Sequence, residues 1–483
     1  MLRRARIVGD GRLVDVAIVD GRIAAVGRAL EVRQGVEEFD LGERWLMAGM
    51  WDAHVHFTQW ARHRARVDLS GSSSAAEAAA RLVAGAGAGR VIVGVGFKDA
   101  LWPDAPAASV LDDALLGVGL GGAAAVAISH DLHSVWLNSA AAAAVGAPRA
   151  GLLRETEAFD VQIALGELAA LDPAADEAAV RAAVAAASAR GVVGIRDLEM
   201  ADNPAVWPAR VATGIDGLRV VACVYQQHLD AADARGWESG AIVPGTNGLV
   251  TMGSLKIISD GSLNTRTALT HEPYGTEASV GHAAHSPEQL TALLAEANER
   301  GLEVALHAIG DLAVTQALDA FEATGARGTI EHAQLVRDED VVRFARLGIA
   351  ASVQPQHAID DRDVADAVWP DRAARAFAYR SLHDAGATLL LGSDAPVAPL
   401  DPWVTLAAAV HRSDDGREPW HAEQEIPRDV AMAASVRSVI APGAAGDVIA
   451  VEQDPLTAAA DDLRAMTVAL TVVGGRVTHT ALD

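Results

Sequence analysis

Between residues 47 and 394, short runs of β-branched and apolar residues alternate with longer alanine-rich stretches. The apolar runs have strand length and fall at 47–56, 90–97, 123–129, 191–197, 218–225, 249–258, 302–307, 329–332, 349–354 and 388–394. Helical stretches fall at 74–83, 174–190, 287–300, 313–324 and 338–347. Near-continuous apolar strands alternating with helices predict an α/β fold on parallel strands buried on both faces. A closed (β/α)8 barrel has eight strand positions, so two of these ten runs belong to an insertion. The pattern by itself leaves open which two.

The chain ends have another rhythm. Over residues 2–46, apolar and polar positions alternate between the turn pairs Asp10-Gly11 and Asp20-Gly21, the signature of β-hairpins. The same alternation returns at 446–451 and 468–478. The two ends are expected to pair into one small β-domain, 1–46 with 425–483, flanking a barrel at 47–424.

Composition narrows the class. A chain of 483 residues, 51% hydrophobic, suits a large barrel with an accessory domain. The formal net charge of −25 repels phosphate backbones and anionic membranes, so a small-molecule substrate is expected and nucleic acid is not. A single cysteine, Cys223, excludes an internal disulfide framework and fits a reducing compartment. The basic start, Met1 to Arg6, leads into strand-like alternation instead of an apolar signal core. The longest apolar run, 115–128, is too short to span a bilayer. A cytoplasmic protein is expected, with a homo-oligomer as an open option.

The chemistry begins at His54 and His56. Side chains alternate along a strand, so this pair points to one face and can grip one divalent metal. Later strand runs end in His307, His332 and Asp394, and Lys256 lies inside an otherwise apolar strand. Strand C-terminal ends converge on one mouth of a barrel, so these six residues make a candidate metal centre. Each has a plainer alternative. His307 can be a core histidine, Asp394 with Ser393 a helix cap, and His332 with Glu331 a surface pair. A buried lysine has a depressed pKa and can take up CO2 as a carbamate, or it can pair with an acid or reach solvent; pattern alone leaves these open.

The order His-x-His, strand lysine, His, His, Asp resembles the amidohydrolase superfamily, and more narrowly the amidohydrolase 3 branch with its N-substituted formamide deformylase-like enzymes. The resemblance is carried by 256–268 around Lys256, by His307-Ala308-Ile309-Gly310-Asp311, and by Ile330-Glu331-His332-Ala333-Gln334. Ser352-Val353-Gln354-Pro355-Gln356-His357, Leu391-Gly392-Ser393-Asp394-Ala395-Pro396-Val397 and Ser134-Val135-Trp136-Leu137-Asn138-Ser139 extend it over nearly the whole chain. It implies a (β/α)8 TIM-type barrel with a β-sandwich from both termini. It also assigns the runs at 90–97 and 123–129 to a capping insertion, roughly 60–185, after barrel strand 1.

By this resemblance, His54, His56, Asp394 and a carbamylated Lys256 hold one metal, and Lys256, His307 and His332 hold a second. Two zinc ions are the expected cofactors. The implied reaction is hydrolysis of a non-peptide C–N bond by a metal-bridged hydroxide, with Asp394, His307 and His332 as catalytic residues and Asp394 as the proton carrier. The alternatives are a mononuclear hydrolase or deaminase of a cyclic amide or lactone, and a non-catalytic regulatory member. His133, Arg266, Gln354 and His357 are expected substrate contacts. Two positions depart from the branch: Leu132 stands where a glycine is usual, which predicts a different turn before His133, and Ala395 replaces an aromatic residue.

Overall fold

The computed structural model describes all residues except 32–34, 65, 87–90, 170–172, 276–277 and 483. Arg90, expected to open an insertion strand, therefore lies outside the described residues.

The barrel strands are β1 (Met50–Val55), β2 (Val192–Asp197), β3 (Arg219–Tyr225), β4 (Val250–Ile258), β5 (Val304–Ala308), β6 (Gly328–His332), β7 (Ala350–Val353) and β8 (Leu389–Leu391). Successive neighbours pair in parallel. These strands are apolar on both faces because both faces are covered: all five residues of β5 are buried. Leu306, Leu318, Phe321, Phe344 and Trp403 belong to the largest core cluster, between strands and outer helices.

The ring closes where β8 meets β1, through a parallel bridge between Val55 and Ala395. Asp394 N donates to His54 O at 2.7 Å and His56 N donates to Ala395 O at 2.8 Å, so the seam passes through three of the expected metal residues. The Asp52 carboxylate reinforces it, accepting from His54 N at 3.1 Å and Ser393 N at 2.9 Å. Gly392 permits this approach, because a Cβ there would sit 2.7 Å from His54 N and 3.0 Å from Asp52 Oδ1. Gly392→Ala is therefore expected to cost about 1–3 kcal/mol and to weaken metal binding, as read by thermal unfolding and a chelator competition.

The run expected at 47–56 is divided. Trp45–Ala48 pairs with Leu2–Ile7 and Val448–Val451 in an eight-stranded sheet woven from both chain ends. Gly49 then passes the chain straight into β1, packed so closely that a Cβ would overlap the Val193 side chain. The two surplus runs form Val91–Phe97 and Ala124–Ser129 in a separate five-stranded sheet between β1 and β2, outside the barrel ring. Among the described residues, no helix is long and apolar enough to cross a membrane.

Candidate metal centre

Strand ends of the barrel and one edge of the insertion enclose a narrow cavity of about 60 Å³. His54, His56, Lys256, His307, His332 and Asp394 all line it, as do His133 and His357. Two backbone features aim the ligands: His332 and Asp394 adopt left-handed φ of 72° and 59°, an uncommon conformation at the ends of β6 and β8.

Two candidate ligand groups share Asp394. One is His54, His56 and Asp394; the other is His332, His357 and Asp394, and in each the ligand atoms lie within 4.8 Å of one another. His54 Nε2 and His56 Nε2 stand 3.3 and 3.4 Å from Asp394 Oδ1. Two ligands at about 2.1 Å from one ion, arranged tetrahedrally, are separated by about 3.4 Å. His357 Nε2 lies 3.9 Å from Asp394 Oδ2.

The protonation pattern suits ligation. His54 Nδ1 is 2.7 Å from Glu331 Oε2, and a carboxylate only accepts, so Nδ1 carries the proton and Nε2 keeps a free lone pair. Gln354 does the same for His332: its Oε1 accepts from Nδ1 at 2.9 Å, while its own Nε2 is fixed by donating to Ser352 O. Burial, with the Lys256 charge, pushes His54 down to about 4, and burial with the His307 charge pushes His332 well below its usual range. Neutral imidazoles bind a cation without losing a proton. Burial alone would raise the Asp394 carboxyl, but His54, His56 and His332 outweigh it and hold it ionised.

Several buried nitrogens have no hydrogen-bond partner: His54 Nε2, His56 Nδ1, His357 Nε2 and Lys256 Nζ. Unpartnered buried polar atoms are rare and need an explanation, and the approach of His54 Nε2 and His357 Nε2 to one carboxylate, Asp394, fits a divalent cation. Lys256 is 3% exposed and pairs with no acid, so neither of its plainer alternatives applies among the described residues. Burial lowers its pKa, against the pull of Glu331 and Asp394.

The expected residues are not all arranged as anticipated. His307 lines the cavity but stands outside both groups, with Nε2 donating to Gly261 O at 3.2 Å and 3.3 Å from Asp260 Oδ1. His357, expected as a substrate contact, lies in one of the two candidate ligand groups, its ring stacked 6.2 Å from that of His332. Gln354 orients His332 and is not among the cavity residues. Arg266 is exposed and likewise absent from the cavity lining. The turn before His133 keeps the backbone a glycine would have: Leu132 holds φ of 65°, and its burial offsets the strain. His133 reaches the cavity as expected, bonded through Nδ1 to Glu155 at 2.8 Å. Its own burial opposes a proton, but the Glu155 charge prevails and keeps His133 cationic.

Glu331 was missed as a functional residue. It forms no surface pair: it is 0% exposed, held by Arg196 Nη1 at 3.0 Å, and is the group that orients His54. Asp52, Asp260 and Glu155 also escaped notice, since the groups they tie to the site, Ser393, Ile309 with Gly310, and His133, lie more than twenty residues away. The local signal was two acids, Asp52 and Glu331, placed within two residues of His54 and His332.

The amidohydrolase family model matches residues 37–479. The chain belongs to the amidohydrolase family. It is 33% identical over 278 residues to YtcJ of Bacillus subtilis (strain 168), an amidohydrolase by name, covering 53% of this chain and 52% of that protein. It is 25% identical over 248 residues to the N-substituted formamide deformylase of Arthrobacter pascens, covering 47% and 45%. The chain thus spans about half the length of these curated relatives. A metal-dependent hydrolase from Pyrococcus horikoshii OT3, itself uncharacterized, superposes with a TM-score of 0.77 at 26% identity, over 95% of this chain and 98% of that one.

Proposed function

We propose that this amidohydrolase hydrolyses a non-peptide C–N bond, in a linear or N-substituted amide, at a centre of two divalent metal ions. One observation carries the reading: two histidine groups share the single carboxylate Asp394 at the barrel mouth. Bound there, divalent ions supply Lewis acidity, polarising a carbonyl and acidifying water. His54 and His56 would hold one ion with Asp394, and His332 and His357 would hold the other. Lys256 and His307 border both. Taking up CO2 with loss of a proton would turn the Lys256 amine into a carbamate whose oxygens are ligands, and its burial without a partner supports this.

The remaining chemistry belongs to the chain. Asp394 accepts the proton of the attacking water and delivers it to the leaving nitrogen, giving a carboxylic acid and an amine. His133, cationic beside Glu155, donates toward the carbonyl oxygen as negative charge develops. Leu132, Phe159, Leu263 and Val397 wall the cavity and limit access of bulk water.

Metal-loaded protein is expected to release free amine from N-formyl or N-acyl amines, to stop on chelation and to recover with two metal equivalents per chain. A fully loaded protein that cleaves none of them overturns the reading. The pairing of His307 with Asp260 and Gly261 favours one competing reading, a single ion on His54, His56 and Asp394 acting on a cyclic amide or lactone. Full activity at one equivalent would select it.

A further inference from the structure

Beyond Gln59 and Met200, which line both spaces, the catalytic cavity borders a second chamber of about 330 Å³. Its walls come from the helix Phe57–His63 and the residues just after it, the insertion, and the helix Asn203–Ala212 that follows β2. Ile128, Leu165 and Val206 contribute apolar surface. Arg62, Arg66 and Arg210 face it as well, and Asp176 and Glu199 are its carboxylates among the described residues.

Both carboxylates are already engaged. Asp176 Oδ1 accepts from Arg62 Nε at 2.6 Å. Glu199 accepts from Gln59 N, Gln59 Nε2 and Met200 N at 2.8, 2.9 and 3.0 Å. Arg210 donates through Nη2 to Thr58 Oγ1 at 2.6 Å and lies over the Trp207 ring, but its buried Nη1 has no partner. The Arg66 side chain has no hydrogen bond or ion pair among the described residues. Burial, followed by the Arg62 charge, pushes Arg66 down to about 10. A protein of net charge −25 thus turns two guanidinium groups with spare hydrogen-bond donors, among the described residues, toward a chamber beside its catalytic cavity. Guanidinium forks match carboxylate geometry, and desolvated ones attract it most.

We infer that this chamber is the specificity pocket of the enzyme and that the substrate is an amide with an apolar arm ending in a carboxylate, received by Arg66 and Arg210. The inference rests on the amide-hydrolysis reading above. The apolar wall takes the stem, the arginines take the carboxylate, and the scissile bond is left at Asp394.

The test compares matched substrates on metal-loaded protein: an N-acyl amine with a terminal carboxylate on its acyl chain, and the same compound as its uncharged carboxamide. The carboxylate is expected to be preferred roughly 10- to 100-fold in kcat/KM. Arg66→Met removes most of that preference through KM, and Arg66→Lys restores part of it. Arg66 holds nothing else in place, so the variants should fold, which a melting curve checks. Equal kcat/KM for the pair, or a preference unchanged in Arg66→Met, overturns the inference. If neither compound is cleaved, the amide reading fails, and glutarate binding to metal-free protein by calorimetry decides the pocket alone. Binding by the wild type that disappears in Arg66→Met supports it. No binding, or tighter binding of inorganic phosphate than of glutarate, overturns it.

Discussion

Asp394→Asn lowers kcat by at least about 10³-fold while leaving the fold and part of the metal binding intact. The substitution is chosen for its backbone. Asp394 has φ of 59°, where asparagine is well tolerated and alanine is not. Its main-chain bond to His54 O at 2.7 Å, which closes the barrel seam, survives the change. What disappears is one negative charge shared by four imidazoles, and with it the group that accepts and returns a proton. The measurement is single-turnover kinetics on protein whose metal content is determined in parallel. Ordinary turnover in a fully loaded variant rules out the proposed role, and loss of all metal recasts Asp394 as a ligand alone.

Glu331→Gln has a different signature. The carboxylate fixes the His54 tautomer and neutralises Arg196, both in the barrel interior. Losing a group that orients a ligand typically weakens metal affinity by about 10- to 100-fold. Leaving the Arg196 guanidinium uncompensated and buried costs about 3–5 kcal/mol. Burial would raise the Glu331 carboxyl, but Arg196 and His54 hold it far below its usual range. Its stabilisation is therefore complete above about pH 4.5 and lost as pH falls further. Denaturant unfolding of metal-free protein across pH should show an acid-dependent loss in the wild type that is smaller in the variant. Chelator competition near neutral pH reads the affinity. A variant as stable and as metal-avid as the wild type would show that Glu331 only fills space.

The alternation of strand and helix, the hairpins at both ends and the residue types at strand ends are local properties. Each follows from side-chain period and turn chemistry within a dozen residues, so the parallel barrel and the residues at its mouth were legible in the chain. The surplus of strand candidates was not resolvable from pattern, because a strand in the insertion sheet is as apolar as one in the barrel. Assigning Val91–Phe97 and Ala124–Ser129 to the insertion needed the resemblance, and the strand pairing shows it directly.

By itself, the sequence determined which side chains reach the barrel mouth: His54, His56, Lys256, His307, His332 and Asp394 sit where strands end, and strand ends converge in any such barrel. Only the tertiary structure decided what each one touches there. Glu331 turns inward to His54 across 277 residues of sequence, His357 joins His332 beside Asp394, and His307 turns toward Gly261 and Asp260. Arg66 and Arg210 likewise come to face one chamber only because two helices and an insertion pack around it. The physical reason is that strand period sets direction over a few ångströms, whereas pairing in a buried site depends on how the ring closes and which buried charges must find partners.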